Sequence, residues 1–472
     1  MKKLKVALVH HHLRPGGVTR VITEQASNVQ ESVEVLLVTG EPPGTPISFP
    51  TVTVPEIAYD RDRAHAAPPR VITRRILAAI RSVWACGADL LHFHNPLLGK
   101  NRGLIATLKT LISGGEKLLL QVHDFAEDGR PGNYCREEYP ADCHYAVINT
   151  RDYGVLIRSG LKRSGLHYLP NAIRPLNVPK NSGAQRDIVL YPVRAIRRKN
   201  IGEAIFLSLF APRGTRAGIT LEPTGALDVR SYRDWMSFVR GRNLNVAFGL
   251  GIGREYTSVL GRARCVVTTS IKEGFGLAYL EPWTAHRMLS GRILKDICED
   301  FIKRGLTLDH LYEKISIPVT FFDRKRFEQK WINCYREKMS LYGRGVSEDE
   351  AARALEPLLS DGTVDFGLLS EDLQREVIRK VLENKERRRE ILDVNPFLVN
   401  NTLFHGSDEL IEHNRRIVAE EYSAKKSGEA LRRVYERVLS ERVSHRIDKD
   451  ALLVAFSTPE QNSLLLCESG YE

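Results

Sequence analysis

No stretch of this 472-residue chain stays apolar for the ~20 residues that crossing a bilayer requires. The short run Val6-Ala-Leu-Val9 follows Met-Lys-Lys-Leu-Lys, but no small-residue cleavage site comes after it; His10, His11 and His12 do. A buried first strand is therefore expected in place of a secretion signal, and the protein is expected to stay in the cytoplasm. Cysteine is sparse: the seven are odd in number and scattered without zinc-type pairing, which points to reduced thiols and away from a disulfide framework. Cys135, Cys143 and His144 lie too far apart and lack a fourth ligand, so no metal is assigned to them. No repeat at solenoid periods is present either. Charge, in contrast, is plentiful. Lys and Arg (69) exceed Asp and Glu (58) to give +11, which suits an anionic partner without choosing one.

Short apolar runs alternate with helix-like segments through the first half. Residues 5–10, 33–39, 90–94, 118–123 and 145–148 read as buried strands, and strands separated by helices imply a parallel sheet covered on both faces. The polar piece 177–187, with a proline and a glycine, reads as a linker. A second series follows at 188–193, 218–221, 244–249 and 265–269. The expectation is an α/β protein of two doubly wound, Rossmann-like domains facing a cleft, at 1–178 and 186–294. Such folds bind ligands at the carboxyl ends of their strands. A charged helical extension is expected over 295–406, with a long helical pattern at 373–392 that carries Lys385-Glu-Arg-Arg-Arg389. A helical segment at 407–440, in a C-terminal region 407–472, is expected to cross back to the first domain.

Chemistry concentrates after the strand at 265–269, in Lys272-Glu-Gly-Phe-Gly-Leu-Ala-Tyr-Leu-Glu-Pro-Trp283. Gly274 and Gly276 let the backbone approach a ligand, and the amides of 275–278 are expected to open a helix, an end that attracts anions. Glu273 precedes that helix and Glu281 is expected inside it. Both carboxylates are acceptors suited to sugar hydroxyls. Earlier, Arg194-Ala-Ile-Arg-Arg-Lys199 ends the first strand of the second series; by itself the Arg197, Arg198, Lys199 run reads as a solvated basic turn. In the first series, Leu13-Arg-Pro-Gly-Gly-Val-Thr-Arg20 follows the first strand, and its two glycines permit a close backbone approach to a ligand.

In order along the chain these motifs resemble the retaining GT-B glycosyltransferases represented by sucrose-phosphate, trehalose and phosphatidylinositol mannosyl transferases. Glu273-Gly-Phe-Gly276 with Glu281 matches that family's Glu-x7-Glu signature, which implies that Glu273 holds donor-sugar hydroxyls and Glu281 the ribose. The resemblance implies that Arg194 and Lys199 bind the donor diphosphate, and that the backbone of Gly274, Phe275, Gly276 and Leu277 lines it. Gly16 and Gly17 match the family's glycine loop near the donor. His123, in Gln121-Val-His-Asp-Phe125, matches its strand-end histidine beside the donor sugar. His92, His94 and Asn95, in Leu91-His-Phe-His-Asn-Pro96, are candidates to line the cleft. Tyr168-Leu-Pro-Asn-Ala172 matches the segment leading into the linker. The match covers about the first 290 residues; Pro282 departs from it and should bend or shorten the helix that carries Glu281.

The implied reaction moves a hexosyl group from a nucleotide-diphosphate sugar co-substrate, UDP-glucose first and GDP-mannose second, to a hydroxyl acceptor, with retained anomeric configuration. The acceptor class is a small polar molecule, a glycan or a lipid-linked hydroxyl. No Asp-x-Asp motif appears, so no cofactor or metal is expected to be required. A nucleotide-sugar epimerase and a non-catalytic sugar-nucleotide-binding subunit stay open as alternatives. The basic stretch 61–81 is amphipathic at helical spacing; packing of its apolar side into the domain is favoured over contact with anionic membrane or a phosphorylated acceptor, and nucleic acid is not an expected partner. Asp365-Phe-Gly367 lacks the other kinase motifs, and Gly249-Leu-Gly-Ile-Gly253 departs from the dinucleotide fingerprint by one position.

Overall fold

The computed structural model of the chain describes residues 3–60, 67–178 and 186–467, and for 400–402 the backbone alone. It divides into two compact units: 1–173 with 421–456, and 174–420 with 457–472. In the first unit, strands β1 (Leu4–His10), β2 (Val33–Thr39), β3 (Thr51–Thr53), β4 (Leu90–His94), β5 (Leu118–Val122), β6 (His144–Val147) and β7 (Leu166–Tyr168) form a parallel sheet in the order β3-β2-β1-β4-β5-β6-β7. The two-residue period of a strand sends alternate side chains to opposite faces. Ala7, Val9, Leu36 and Val38 join one core with Ile72, Ile76 and Ile80 of the helix Pro69–Val83. Val6, Leu8, Val35 and Leu37 join another with Ile22 and Ala26 of the helix Gly17–Val29 and Leu431, Val434 and Tyr435 of the helix Ala424–Ser440. Both faces are thus covered, which is why these strands read as unbroken apolar runs.

The second unit repeats the plan with β8 (Ile188–Arg194), β9 (Arg216–Leu221), β10 (Val246–Ala247), β11 (Ala263–Thr268) and β12 (Met288–Gly291), parallel and in the order β10-β9-β8-β11-β12. In each unit the strand order reverses once, between β1 and β4 in the first and between β8 and β11 in the second. Ligands of doubly wound sheets bind outside the carboxyl ends of the strands at such reversals. The extension adds a small antiparallel pair, β13 (Ser316–Pro318) with β14 (Thr363–Asp365).

Several boundaries differ from the sequence reading. The helical pattern at 373–392 is two helices, Glu371–Glu383 and Lys385–Val394, because Asn384 leaves helical geometry and its side chain caps the amides of Glu386 and Arg387. Ser423 likewise caps Lys426 and separates Asp408–Glu421 from Ala424–Ser440. The region 407–472 does not cross back whole: 421–456 pack with the first unit, while 408–420 and 457–467 pack with the second. Cys334 and Cys467 are joined by a disulfide, against the expectation of reduced thiols throughout, and Cys86, Cys135, Cys143, Cys265 and Cys298 are free. Of the basic stretch 61–81, residues 61–66 lie outside the described residues, as does most of the linker. The helix Pro69–Val83 buries Ile72, Ile76 and Ile80 and leaves Arg70, Arg74, Arg75 and Arg81 exposed.

The helical extension is bound to the second sheet by charge. Arg292, 4% exposed, donates to Glu203 (2.9 and 2.6 Å) and to Asp365 (2.7 and 2.7 Å). Tyr312 donates to the same Glu203 at 2.7 Å. Removing one partner of a buried ion pair strands the other, at a cost of about 3–5 kcal/mol. Arg292→Met is therefore expected to lower the urea stability of the second unit by that amount. Trp235, Trp283 and Trp331 lie in this unit and Trp84 in the first, so tryptophan fluorescence reports it. A loss below about 1 kcal/mol would show that the network is not holding the extension.

Candidate functional site

At the reversal point of the second sheet, Lys199 and Glu273 come together. After β8 the chain makes a turn of 3-10 helix at Arg197–Lys199, passes through Asn200 with φ 50°, and enters the helix Ile201–Ser208. After β11 it runs through Thr269 to Gly276. The two loops are stitched together: the Ile271 amide donates to the Arg198 carbonyl at 3.0 Å, and the Tyr191 hydroxyl donates to the Lys199 carbonyl at 2.6 Å. Thr269 Oγ1 donates to the Lys199 and Asn200 carbonyls at 3.1 and 2.9 Å. This sets Lys199 Nζ on Glu273 Oε1, with Arg198 Nη1 3.4 Å from Glu273 Oε2. Burial alone would raise the Glu273 carboxyl, but Lys199 and Arg198 outweigh it and hold it below its ordinary range. Burial also lowers the Lys199 ammonium, and the carboxylate restores only part of the loss.

Arg194 lies apart from this pair. It is exposed at the end of β8 and donates to the Glu222 carbonyl at 3.1 Å. The second cation on Glu273 is Arg198, which the sequence reading left in a solvated turn; its place one residue before Lys199 on a tight turn is the signal that could have found it. Gly276 has φ 90°, and a Cβ there would lie 2.9 Å from Tyr279 and 3.0 Å from Ile297, so only glycine fits. Phe275 is buried edge-on against Phe301 and anchors the loop from beneath.

The helix expected to open at 275–278 is not continuous. A 3-10 turn at Leu277–Tyr279 is followed by a four-residue helix, Glu281–Thr284, of which Glu281 is the first residue. Pro282 accounts for the break, having no amide to continue the ladder.

In the first unit the reversal point carries histidines. His10, at the end of β1, bonds through Nδ1 to the His94 carbonyl at 2.8 Å, and His94 Nδ1 meets His123 Nε2 at 3.1 Å. His94 and His123 stack with centroids 5.4 Å apart. His92, which was a candidate to line an opening, is enclosed and bonded to the Tyr435 hydroxyl at 3.0 Å. Asn95, with φ 53°, accepts the amides of His123 and Asp124 on its side chain and so orients the end of β5. His10 was read only as the last residue of a strand. Gly16 is extended and Gly17 opens the helix Gly17–Val29; a Cβ at Gly17 would meet nothing within 4 Å. Packing does not demand glycine there, and the bare backbone leaves room for a ligand.

No protein-family model matches the chain. Over 339 residues it is 26% identical to mannosylglucosyl-3-phosphoglycerate synthase of Petrotoga mobilis, a match covering 64% of this chain. The chain spans about 65% of the length of that curated relative. Anabaena HepE, solved in complex with UDP and glucose, is similar with a TM-score of 0.53 at 9% identity, over 92% of this chain and 99% of that one. A glycosyltransferase from Rickettsia africae is similar with a TM-score of 0.53 at 10% identity, over 93% and 100%. The fold is GT-B. Within the GT-B plan, the loops just described occupy the reversal point of each sheet.

Burial lowers His123 to about 4, with Asp124 opposing, and lowers His92 to about 3. A histidine whose folded value lies below its unfolded value of 6.5 withholds protons that the unfolded chain takes up. Its stabilisation is complete above about pH 6.5 and is lost as pH falls toward 4. Each such histidine contributes a slope of about 1.4 kcal/mol per pH unit in that window. Urea unfolding of the first unit at pH 7, 6 and 5 should show this slope, reduced by one histidine's share in His123→Gln. An equal slope in both proteins would contradict the assignment.

Proposed function

We propose that the chain is a retaining hexosyltransferase that takes its sugar from a nucleotide-diphosphate donor, UDP-glucose first and GDP-mannose second, and passes it to a hydroxyl acceptor. The observation that carries this reading is the Lys199–Glu273 pair at the reversal point of the second sheet, where a cation for phosphate and an acceptor for sugar hydroxyls emerge from adjacent strands. In support, the Petrotoga relative is named for synthesis of a mannosylglucosyl compound, and HepE was solved with UDP and glucose.

Lys199 and Arg194 are assigned to the diphosphate, whose negative charge grows as the bond to the anomeric carbon breaks. Lys supplies a mobile point charge and Arg a planar fork of donors. Glu273 is assigned to the hydroxyls of the donor sugar and Glu281 to the ribose. The backbone of Gly274, Phe275, Gly276 and Leu277 is assigned to close approach. In the first unit, Gly16, Gly17 and His123 are assigned to the donor, His123 as a neutral hydrogen-bonding group. Asn95 and His94 serve it by fixing the strand end and its ring. Retention follows if the acceptor attacks from the face that the nucleoside diphosphate leaves, through a sugar with oxocarbenium character, the departing phosphate taking the acceptor's proton. No protein nucleophile and no obligatory metal enter this scheme.

UDP-glucose, GDP-mannose, UDP and NAD should be compared for their effect on melting temperature, followed by transfer from the stabilising donor to pooled hydroxyl acceptors. A rise with a nucleotide sugar, and a product whose anomeric configuration by NMR equals that of the donor, are expected. Glu273→Gln is expected to lower kcat/KM about 100-fold. Stabilisation by NAD and by no nucleotide sugar, or an epimerised sugar formed without acceptor, overturns the proposal.

A further inference from the structure

The turn that presents Lys199 is held from the helical extension. Asn200, the next residue, has φ 50° and is 2% exposed. Asparagine enters that region more readily than other residues with a side chain, and local hydrogen bonds of its amide hold it there. Its side chain is engaged at both ends: Nδ2 donates to Glu203 at 2.7 Å, and Oδ1 accepts from Gln374 Nε2 at 2.9 Å. Gln374 is fully buried on the helix Glu371–Glu383 and also donates to the Phe366 carbonyl at 3.1 Å. One turn earlier on that helix, Glu371 accepts from Trp235 Nε1 at 3.2 Å and from the Ser231 hydroxyl, and stands 3.9 Å from Arg197 Nε. A single helix of the extension therefore engages both ends of the 197–200 turn. Gly202 leaves the space for this: a methyl group there would collide with Gln374 Oε1 and the Trp235 ring.

We infer that Gln374 is a positioning residue for Lys199, on the reading of Lys199 as the ligand of the donor diphosphate. Gln374 touches no reacting atom. It satisfies the buried Asn200 carbonyl oxygen, and so keeps the left-handed residue in place and the preceding lysine aimed at Glu273. Without the amide, Asn200 Oδ1 is a buried acceptor with nothing to accept from the extension, and the turn can relieve that only by moving.

The test uses the full chain with Gln374→Met, which keeps volume and removes the amide; Gln374→Asn, one methylene shorter, replaces it if the first variant fails to fold. Asn395→Ala is the control, since Asn395 also gives a buried amide to the extension, clipping the Ser316 amide and carbonyl at 2.8 Å each. Acetylation of Lys199 by acetic anhydride, read by peptide mass spectrometry, is expected to quicken about tenfold in Gln374→Met, the scale of one buried acceptor left unsatisfied. It should remain at the wild-type rate in the control. KM for UDP-glucose is expected to rise about tenfold with a smaller fall in kcat. Labelling rates equal in Gln374→Met and the control overturn the inference. If the wild type binds no nucleotide sugar, the functional reading falls while the labelling result still decides the role of Gln374.

Discussion

A guanidinium shut away from water must have its charge balanced inside the fold, and Arg292 finds that balance in Glu203 on one side and Asp365 on the other. Glu203 belongs to the first helix of the second doubly wound sheet, Arg292 follows its last strand, and Asp365 lies in the antiparallel pair of the extension. Three elements distant in sequence are thereby required to meet with hydrogen-bonding precision. Breaking any one leaves a bare charge in a low-dielectric interior. Tyr312 and Asn200 share Glu203 with Arg292, so the same carboxylate that neutralises the arginine also governs the residue next to Lys199.

This arrangement changes the meaning of the charged segment 295–406. Its many lysines, arginines and glutamates suggest solvated helices, and most of them are solvated. A few polar residues turn inward instead: Asp365 onto Arg292, Glu371 onto Trp235 and toward Arg197, and Gln374 onto Asn200. The extension is thus part of the scaffold that sets the cation turn. Asp365-Phe-Gly367, whose sequence imitates a kinase loop, serves as the anchor for Arg292.

The proposed donor site of the second unit contains charges that satisfy one another. Lys199 and Glu273 are partners, and the proposed chemistry asks each to turn to a different part of the donor. Their mutual neutralisation keeps two largely buried charges tolerable before a donor arrives. In the first unit the corresponding position carries neutral, stacked imidazoles, kept uncharged by burial and by one another. One unit therefore presents ionic groups and the other neutral hydrogen-bonding groups at equivalent points of equivalent sheets.

The amino-acid sequence by itself marked nine of the twelve parallel strands and their parallel pairing, because a strand covered on both faces is apolar throughout and helices between strands connect parallel neighbours. It also marked Lys199, Glu273, Gly276 and His123 as candidates, through motifs that resemble those of a known family and that each closely follow a strand. The short strands β3, β7 and β12 escaped notice, being only three or four residues long. Which charges meet was decided by tertiary structure alone. Arg198 and not Arg194 shares Glu273, Arg292 is balanced by residues 89 positions before and 73 after it, and Gln374 reaches Asn200 across 174 positions. Periodicity and spacing report which face a residue occupies; they carry no information on which distant side chain will face it, because that depends on how helices and loops settle on the finished sheet.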